Sequence, residues 1–331
     1  MTIFVAIHRP QSMGLLRERR TLLALALVRA TECGFFVITI QRTGSTWLAE
    51  ALDRHPCVQS GLEMFLNEKV GVDPFTWSDA QKLRGLEAMF TDDGPNVTVG
   101  VNSTRRFHSF LTRCRRASAG KHPGTSCGFK WMLSQHVDRV WDTWLPEFCA
   151  RRGVRLVFLE RLNLLRIHAS TVGKNMDDRN HNGGRNPTSE APRRAYLELA
   201  TGPVLLGRLE EYEQSHVFMR HMRKKAKRYG IATLSVTYEQ LQADRGLGLD
   251  AIASFVLGGS KATCDTHNFT FVDANASTHA AQVHPEKLST YVLNWDEVAA
   301  TLNGTRFACY LDEDNVTRLE ACRRAASPAE E

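Results

Sequence analysis

The stretch Phe35 to Pro56, FFVITIQRTGSTWLAEALDRHP, constrains the fold more than any other part of the chain. Phe35 to Ile40 is a short apolar run rich in β-branched residues, the pattern of a strand buried in a parallel sheet. Gln41-Arg42-Thr43-Gly44-Ser45-Thr46 is polar and compact, and Trp47, Leu48, Ala51 and Leu52 follow at spacings that share one helix face. Gly44 permits the sharp turn between strand and helix. A helix that starts directly after such a turn points its unpaired N–H groups and its positive dipole end at the occupant of the turn. Phosphate or sulfate is the natural occupant. Arg42, Ser45 and Thr46 add donors. A plain strand-turn-helix with a Ser/Thr cap has the same local pattern, so the rest of the chain must decide.

The nucleotide-binding P-loop, GxxxxGK[ST], carries a Lys that reaches the β- and γ-phosphates; this chain has Ser45 in that place, which weighs against a kinase or NTPase. With 331 residues the chain is long enough for one large α/β domain. A formal charge of +6 favours anionic partners. Nucleic acid is not expected, because the densest basic run, His221 to Arg228, falls at the end of a helical pattern, where cations complement the dipole on a solvated face. No run reaches the roughly 18 apolar residues that span a bilayer. Residues 1–34 read as a lead-in or targeting remnant, with Thr21 to Val28 after Arg17, Arg19 and Arg20 in the basic-then-apolar order of a signal. Glycosylation sequons stand at Asn96, Asn102, Asn268, Asn275, Asn303 and Asn315 and favour a secretory-pathway or Golgi lumen over the cytoplasm.

Further along, Cys57 to Ser60 reads as a second strand, Val97 to Val101 as a weak one, and Gly128 to Leu133, Val154 to Leu159 and Ile231 to Val236 as buried strands. Arg105 to Lys121 is a basic helix and loop, Gly173 to Arg194 a Gly/Asn/Pro-rich loop, and Tyr196 to Arg228 has helical spacing. The expected architecture is α/β: a P-loop-type parallel sheet of about five strands, helices on both faces, ligands at the carboxyl ends of the strands.

QRTGSTWLAEALDRHP resembles the 5′-phosphosulfate loop of the sulfotransferases that use 3′-phosphoadenosine 5′-phosphosulfate (PAPS). ERLNLLRIHAS, Glu160 to Ser170, resembles the 3′-phosphate site of the same family, in which an Arg at the end of a strand and a Ser two helical turns on reach one phosphate. That pairing makes physical sense, since Arg offers a bidentate fork. GFKWMLSQ from Gly128, SVTYEQLQAD from Ser235 and NWDEV from Asn294 resemble further family segments, while the RKG triplet of many members is absent, leaving the adenine contacts unassigned. The resemblance implies a donor site of Arg42, Thr43, Gly44, Ser45, Thr46, Trp47, Arg161 and Ser170, with Arg166 and His168 as neighbours. It implies Glu63 as the catalytic base, although a carboxylate there could equally cap a helix or pair with a cation. Lys130 would face the donor or acceptor, or sit simply at a strand end. The implied activity is sulfuryl transfer from PAPS to an acceptor hydroxyl, most readily on a carbohydrate, with no metal; a P-loop kinase or NTPase and a non-catalytic nucleotide- or glycan-binding protein on the same fold are the alternatives. The implied domain spans 35–320, followed by an acidic tail over 321–331.

Eight cysteines include no CxxC or zinc-spaced cluster. In an oxidising lumen Cys114 with Cys127, and Cys264 with Cys309 or Cys322, are the expected pairs; in a cytosol they would be free buried thiols.

Overall fold

The structure is a computed structural model and describes residues 34–65, 77–90, 104–119, 125–180, 197–258, 271, 287–313 and 315–325. In chain order the elements are β1 (Gly34–Thr39), α1 (Ser45–Asp53), β2 (Val58–Gly61), α2 (Asp79–Met89), α3 (Thr104–Ala119), β3 (Ser126–Met132), α4 (Val137–Trp141), α5 (Leu145–Arg152), β4 (Arg155–Glu160), α6 (Leu164–Asn180), α7 (Gly202–Arg228), β5 (Thr233–Thr237), α8 (Tyr238–Ala243), α9 (Arg245–Leu257), α10 (Trp295–Leu302) and α11 (Val316–Ala325).

The strands form one five-stranded sheet in the order β2-β3-β1-β4-β5, parallel throughout. β1 is buried along its whole length, which is why its sequence is apolar rather than alternating. Alternate side chains enter two separate cores. Phe36 and Ile38 join Phe129, Trp131, Leu156 and Phe158 beneath helices α2 to α7, α10 and α11. Phe35 and Val37 join Val157 and Leu159 on the opposite face, under α1, α8 and α9. On α1 the predicted stripe is there: Leu48, Ala51 and Leu52 are fully buried and Trp47 packs at the margin.

This topology creates the site. β1 sends its chain to one face of the sheet, whereas its neighbours β3 and β4 send theirs to the other. The turn after β1 therefore opens into a crevice on each side, the arrangement that places ligands at the carboxyl ends of parallel strands. β3 comes close enough to β1 that a Cβ at Gly128 would lie 2.2 Å from the Phe35 carbonyl oxygen, so the Gly of GFKWMLSQ is a packing requirement.

Several expectations change. The apolar periodicity upstream of α7 is not helix: Leu197 bridges Val292 instead, and Pro203, at the start of the helix, fixes where it begins. The expected loop from Gly173 is helical through Asn180, because α6 is carried on by its packed first turns despite a polar sequence. Residues 321–325 belong to α11 rather than to a tail, and Arg323 on it pairs with the buried Glu160 at 3.2 Å. Val97 to Val101 lies outside the described residues, as do residues 1–33.

The cysteine pairing is corrected too. Cys309 bonds Cys322, brought within a Cα separation of 6.4 Å by a short 3-10 turn (Ala308–Leu311) and α11. Cys57 is also disulfide-bonded. Cys114 and Cys127 are free, buried thiols hydrogen-bonded to each other, and burial, then that contact, pushes the Cys114 thiol well up.

Candidate functional site

The turn after β1 is built from its own hydroxyls. Thr39 and Thr43 share a hydrogen bond of 2.6 Å, Thr43 Oγ1 donates to the Ile40 carbonyl, and Thr39 Oγ1 reaches the Leu159 carbonyl on β4. Thr43 is fully buried, so its side chain shapes the turn rather than facing a ligand. The backbone then passes through two left-handed residues, Arg42 at φ 65° and Gly44 at φ 81°. For a non-glycine residue such as Arg42 that conformation is uncommon and concentrates at functional sites. No side chain caps α1, whose first residue follows Gly44 directly, so the helix presents its N-terminus to the turn.

Two side chains converge on this turn from the β4 crevice. Arg161, immediately after β4, donates from Nη1 to the Arg42 carbonyl at 3.1 Å and lies 4.6 Å above the ring of Tyr238. Its Nε is buried without a partner among the described residues. Burial lowers the guanidinium from its ordinary value, and nearby Glu239 partly offsets this. Ser170, nine residues on and carried round by α6, accepts from Arg42 Nε at 2.9 Å. The two motifs, separated by well over a hundred residues, thus meet through Arg42. Of their neighbours, Arg166 lies near enough to Arg161 to disfavour its charge and pairs with Glu313 at 2.6 Å, and His168 is buried with its ring 6.4 Å from that of Tyr212. Burial holds His168 below the usual histidine range.

From the β3 crevice comes Lys130. Its side chain is almost wholly buried, and Nζ donates to Thr46 Oγ1 at 2.7 Å and pairs with Glu63 Oε1 at 2.7 Å. A lysine therefore does reach the turn, from the adjacent strand rather than from the position Ser45 occupies. Glu63, just past β2, is partly exposed and stands on the far side of that ammonium. Gln41 extends the same side, donating to Ser134 Oγ at 3.1 Å. Ser45 is buried under the turn, while Trp47 lies beneath the Arg245 guanidinium at 5.8 Å. His55 is buried just past the end of α1, where Nδ1 accepts from the Cys57 backbone N–H.

No role for Tyr238 or Glu239 follows from the sequence alone. Glu239 accepts the backbone N–H groups of Leu162 and Asn163, and Tyr238 lies against both Arg161 and Gly44. The signal was their position: both stand at the carboxyl end of β5, on the ligand-facing rim of the sheet.

The arrangement sets two adjacent groups of cationic, hydrogen-bond-donating side chains around one strained turn, with a carboxylate beyond a lysine at one end. It suits an anion with two negatively charged groups and a proton transfer beside one of them. Among the described residues, no cluster of His, Cys, Asp or Glu has metal-holding geometry. No helix among them is long and apolar enough to cross a membrane.

No family model and no curated protein matches the chain. Among solved structures, a sulfotransferase from Alicyclobacillus acidocaldarius is similar at 13% identity and a TM-score of 0.32, covering 88% of this chain and 95% of that one.

Proposed function

We propose that the chain is a PAPS-dependent sulfotransferase acting on a hydroxyl, most readily that of a carbohydrate, with a catalytic domain that begins at residue 35 and takes in α11. The observation that carries this is the junction at Arg42, where the carbonyl accepts from Arg161 and Nε donates to Ser170. That junction joins a phosphosulfate-type turn to an Arg/Ser phosphate site, as one bisphosphorylated nucleotide requires. Arg161 and Ser170 hold the 3′-phosphate. Arg42, Thr46 and the N-terminus of α1, to which the Ser45 backbone N–H belongs, hold the phosphosulfate and stabilise the charge that develops on the departing phosphate.

In the reaction the acceptor oxygen forms a bond to sulfur as the bond from sulfur to the phosphate oxygen breaks. The electron pair leaves with 3′,5′-ADP, and the acceptor proton passes to Glu63. Lys130, between Glu63 and Thr46, places the base next to the transferring group and supplies positive charge there. The disulfide Cys309–Cys322 and the bonded Cys57 support a secretory-lumen setting.

The test is an acceptor screen with radiolabelled PAPS. Transfer of label to a glycan, abolished in Arg161→Ala, is the expected result. Mg²⁺-dependent ATP turnover without label transfer would replace the proposal with a phosphotransferase, and nucleotide binding without transfer would replace it with a binding protein.

A further inference from the structure

The segment SVTYEQLQAD has no part in the transfer as described, yet two of its side chains lie between the two anion-facing turns. Glu239 spreads its carboxylate over the turn that follows Arg161. Both oxygens accept from the Leu162 N–H, at 3.0 and 2.9 Å, and Oε1 also accepts from the Asn163 N–H at 3.2 Å. These amides lead into α6 and would otherwise be orphan donors, so a carboxylate from the first turn of α8 fixes the course of the chain between Arg161 and Ser170.

Tyr238 acts on both turns at once. One surface of its ring carries the Arg161 guanidinium at 4.6 Å. The same ring lies so close to Gly44 that a Cβ there would come within 2.5 Å of it. The hydroxyl takes no part in this contact: it accepts from Gln242 Nε2 at 3.2 Å, within its own helix. The base of this wedge is rigid. Thr237 and Gln240 form a reciprocal capping box at the start of α8, and Leu241 is buried in the core under α9.

We propose that Tyr238 and Glu239 are positioning residues that fix the Arg161 turn relative to the phosphosulfate turn, and so select nucleotides phosphorylated on both the 3′ and 5′ oxygens over those with a single phosphate. The identity of the ligand rests on the proposed function; the coupling of the two turns does not. A flat ring suits the task because it meets a guanidinium face-on and loses little freedom when packed.

The experiment compares calorimetric affinities for 3′,5′-ADP and 5′-AMP in the wild type, Tyr238→Phe, Tyr238→Leu and Glu239→Gln, with melting temperatures on the same preparations. Tyr238→Leu and Glu239→Gln are expected to lose about tenfold or more in 3′,5′-ADP affinity and about twofold in 5′-AMP affinity, while Tyr238→Phe, which keeps the ring, restores the wild-type ratio. An unchanged ratio of the two affinities in Tyr238→Leu overturns the proposal, whatever happens to melting temperature. Should Glu239→Gln fail to fold, the Phe and Leu pair at Tyr238 carries the comparison. If the wild type binds neither nucleotide, the sulfotransferase assignment falls. Amide hydrogen exchange of the free Tyr238→Leu protein then decides the inference. Faster exchange over both 42–46 and 161–163 supports coupling, and no change, or a change in one segment alone, overturns it.

Discussion

Lys130 is the side chain on which the two halves of the proposed chemistry depend, because one buried ammonium serves Thr46 on the turn after β1 and Glu63 beyond it. Replacing it by Met removes the charge while keeping the buried stem. Turnover should fall by about 10²-fold or more, with a smaller loss of donor affinity, as steady-state kinetics against PAPS would show. Glu63→Gln keeps the shape and cannot take the proton, so single-turnover sulfation should drop by about 10²–10⁴-fold at near wild-type donor affinity. A stable Glu63→Gln protein with a normal rate would leave Glu63 as an ion-pair partner of Lys130 and nothing more. On the other side of β1, Arg161→Ala should weaken nucleotide binding by roughly 2–4 kcal/mol and Ser170→Ala by about 1 kcal/mol. The Ser170 effect is smaller because its visible partner is Arg42, which keeps its place on the turn.

Among the elements, the turn between β1 and α1 is the least replaceable. Gly44→Ala would have to hold a positive φ and push its new methyl into the Tyr238 ring. A loss of about 1–3 kcal/mol in urea denaturation is expected, with donor binding impaired in the fraction that folds. This turn was legible in the sequence because each level agreed: an apolar strand, a glycine at the left-handed position, then a stripe of Leu48, Ala51 and Leu52. The Arg161 and Ser170 pairing was legible for the same reason, as strand followed by helix. What could not be read was contact across the sheet. Whether Lys130 ends a strand or enters the site depends on β3 lying beside β1, with Lys130 in register with Val37, and no local pattern encodes that pairing. Tyr238 and Glu239 were hidden likewise, since their partners come from two distant turns, the one after β1 and the one after β4. The α6 extension to Asn180 was missed because Gly, Asn and Asp carry low helix propensity, which tertiary packing overrode.

At the scale of the molecule, α7 and α11 are tied to the sheet through the buried Glu160, which pairs with Arg223 at 3.0 Å and Arg323 at 3.2 Å. Glu160 directly precedes Arg161, so this network braces the Arg161 side of the candidate site from behind. His216, fully buried on α7 near these charges, is pushed down to about 4 by burial, with Glu160 opposing and Arg323, Arg220 and Arg223 reinforcing the shift. Its unfolded value is near 6.5, so between these limits the unfolded chain binds the extra proton. Stability should be level with respect to this group above about pH 6.5 and fall by about 1.4 kcal/mol per unit as pH drops towards 4. The difference between wild type and His216→Leu in urea midpoints across that window isolates the effect, and parallel curves would refute it. Cys309 and Cys322 should appear as a linked peptide pair in non-reducing mass spectrometry, with Cys114 and Cys127 alkylated only after unfolding.

The central claim is that the turns around Arg42 and Arg161 form one site for a nucleotide phosphorylated at both ends of its ribose. Calorimetric titration of the wild type and Arg161→Ala with 3′,5′-ADP, with MgATP as the competing ligand, tests it most directly. The account predicts saturable binding of 3′,5′-ADP by the wild type, weakened about 30-fold or more in Arg161→Ala, and no displacement by MgATP at equal concentration. Tight MgATP binding with none of 3′,5′-ADP, or equal 3′,5′-ADP affinity in the two proteins, would contradict it.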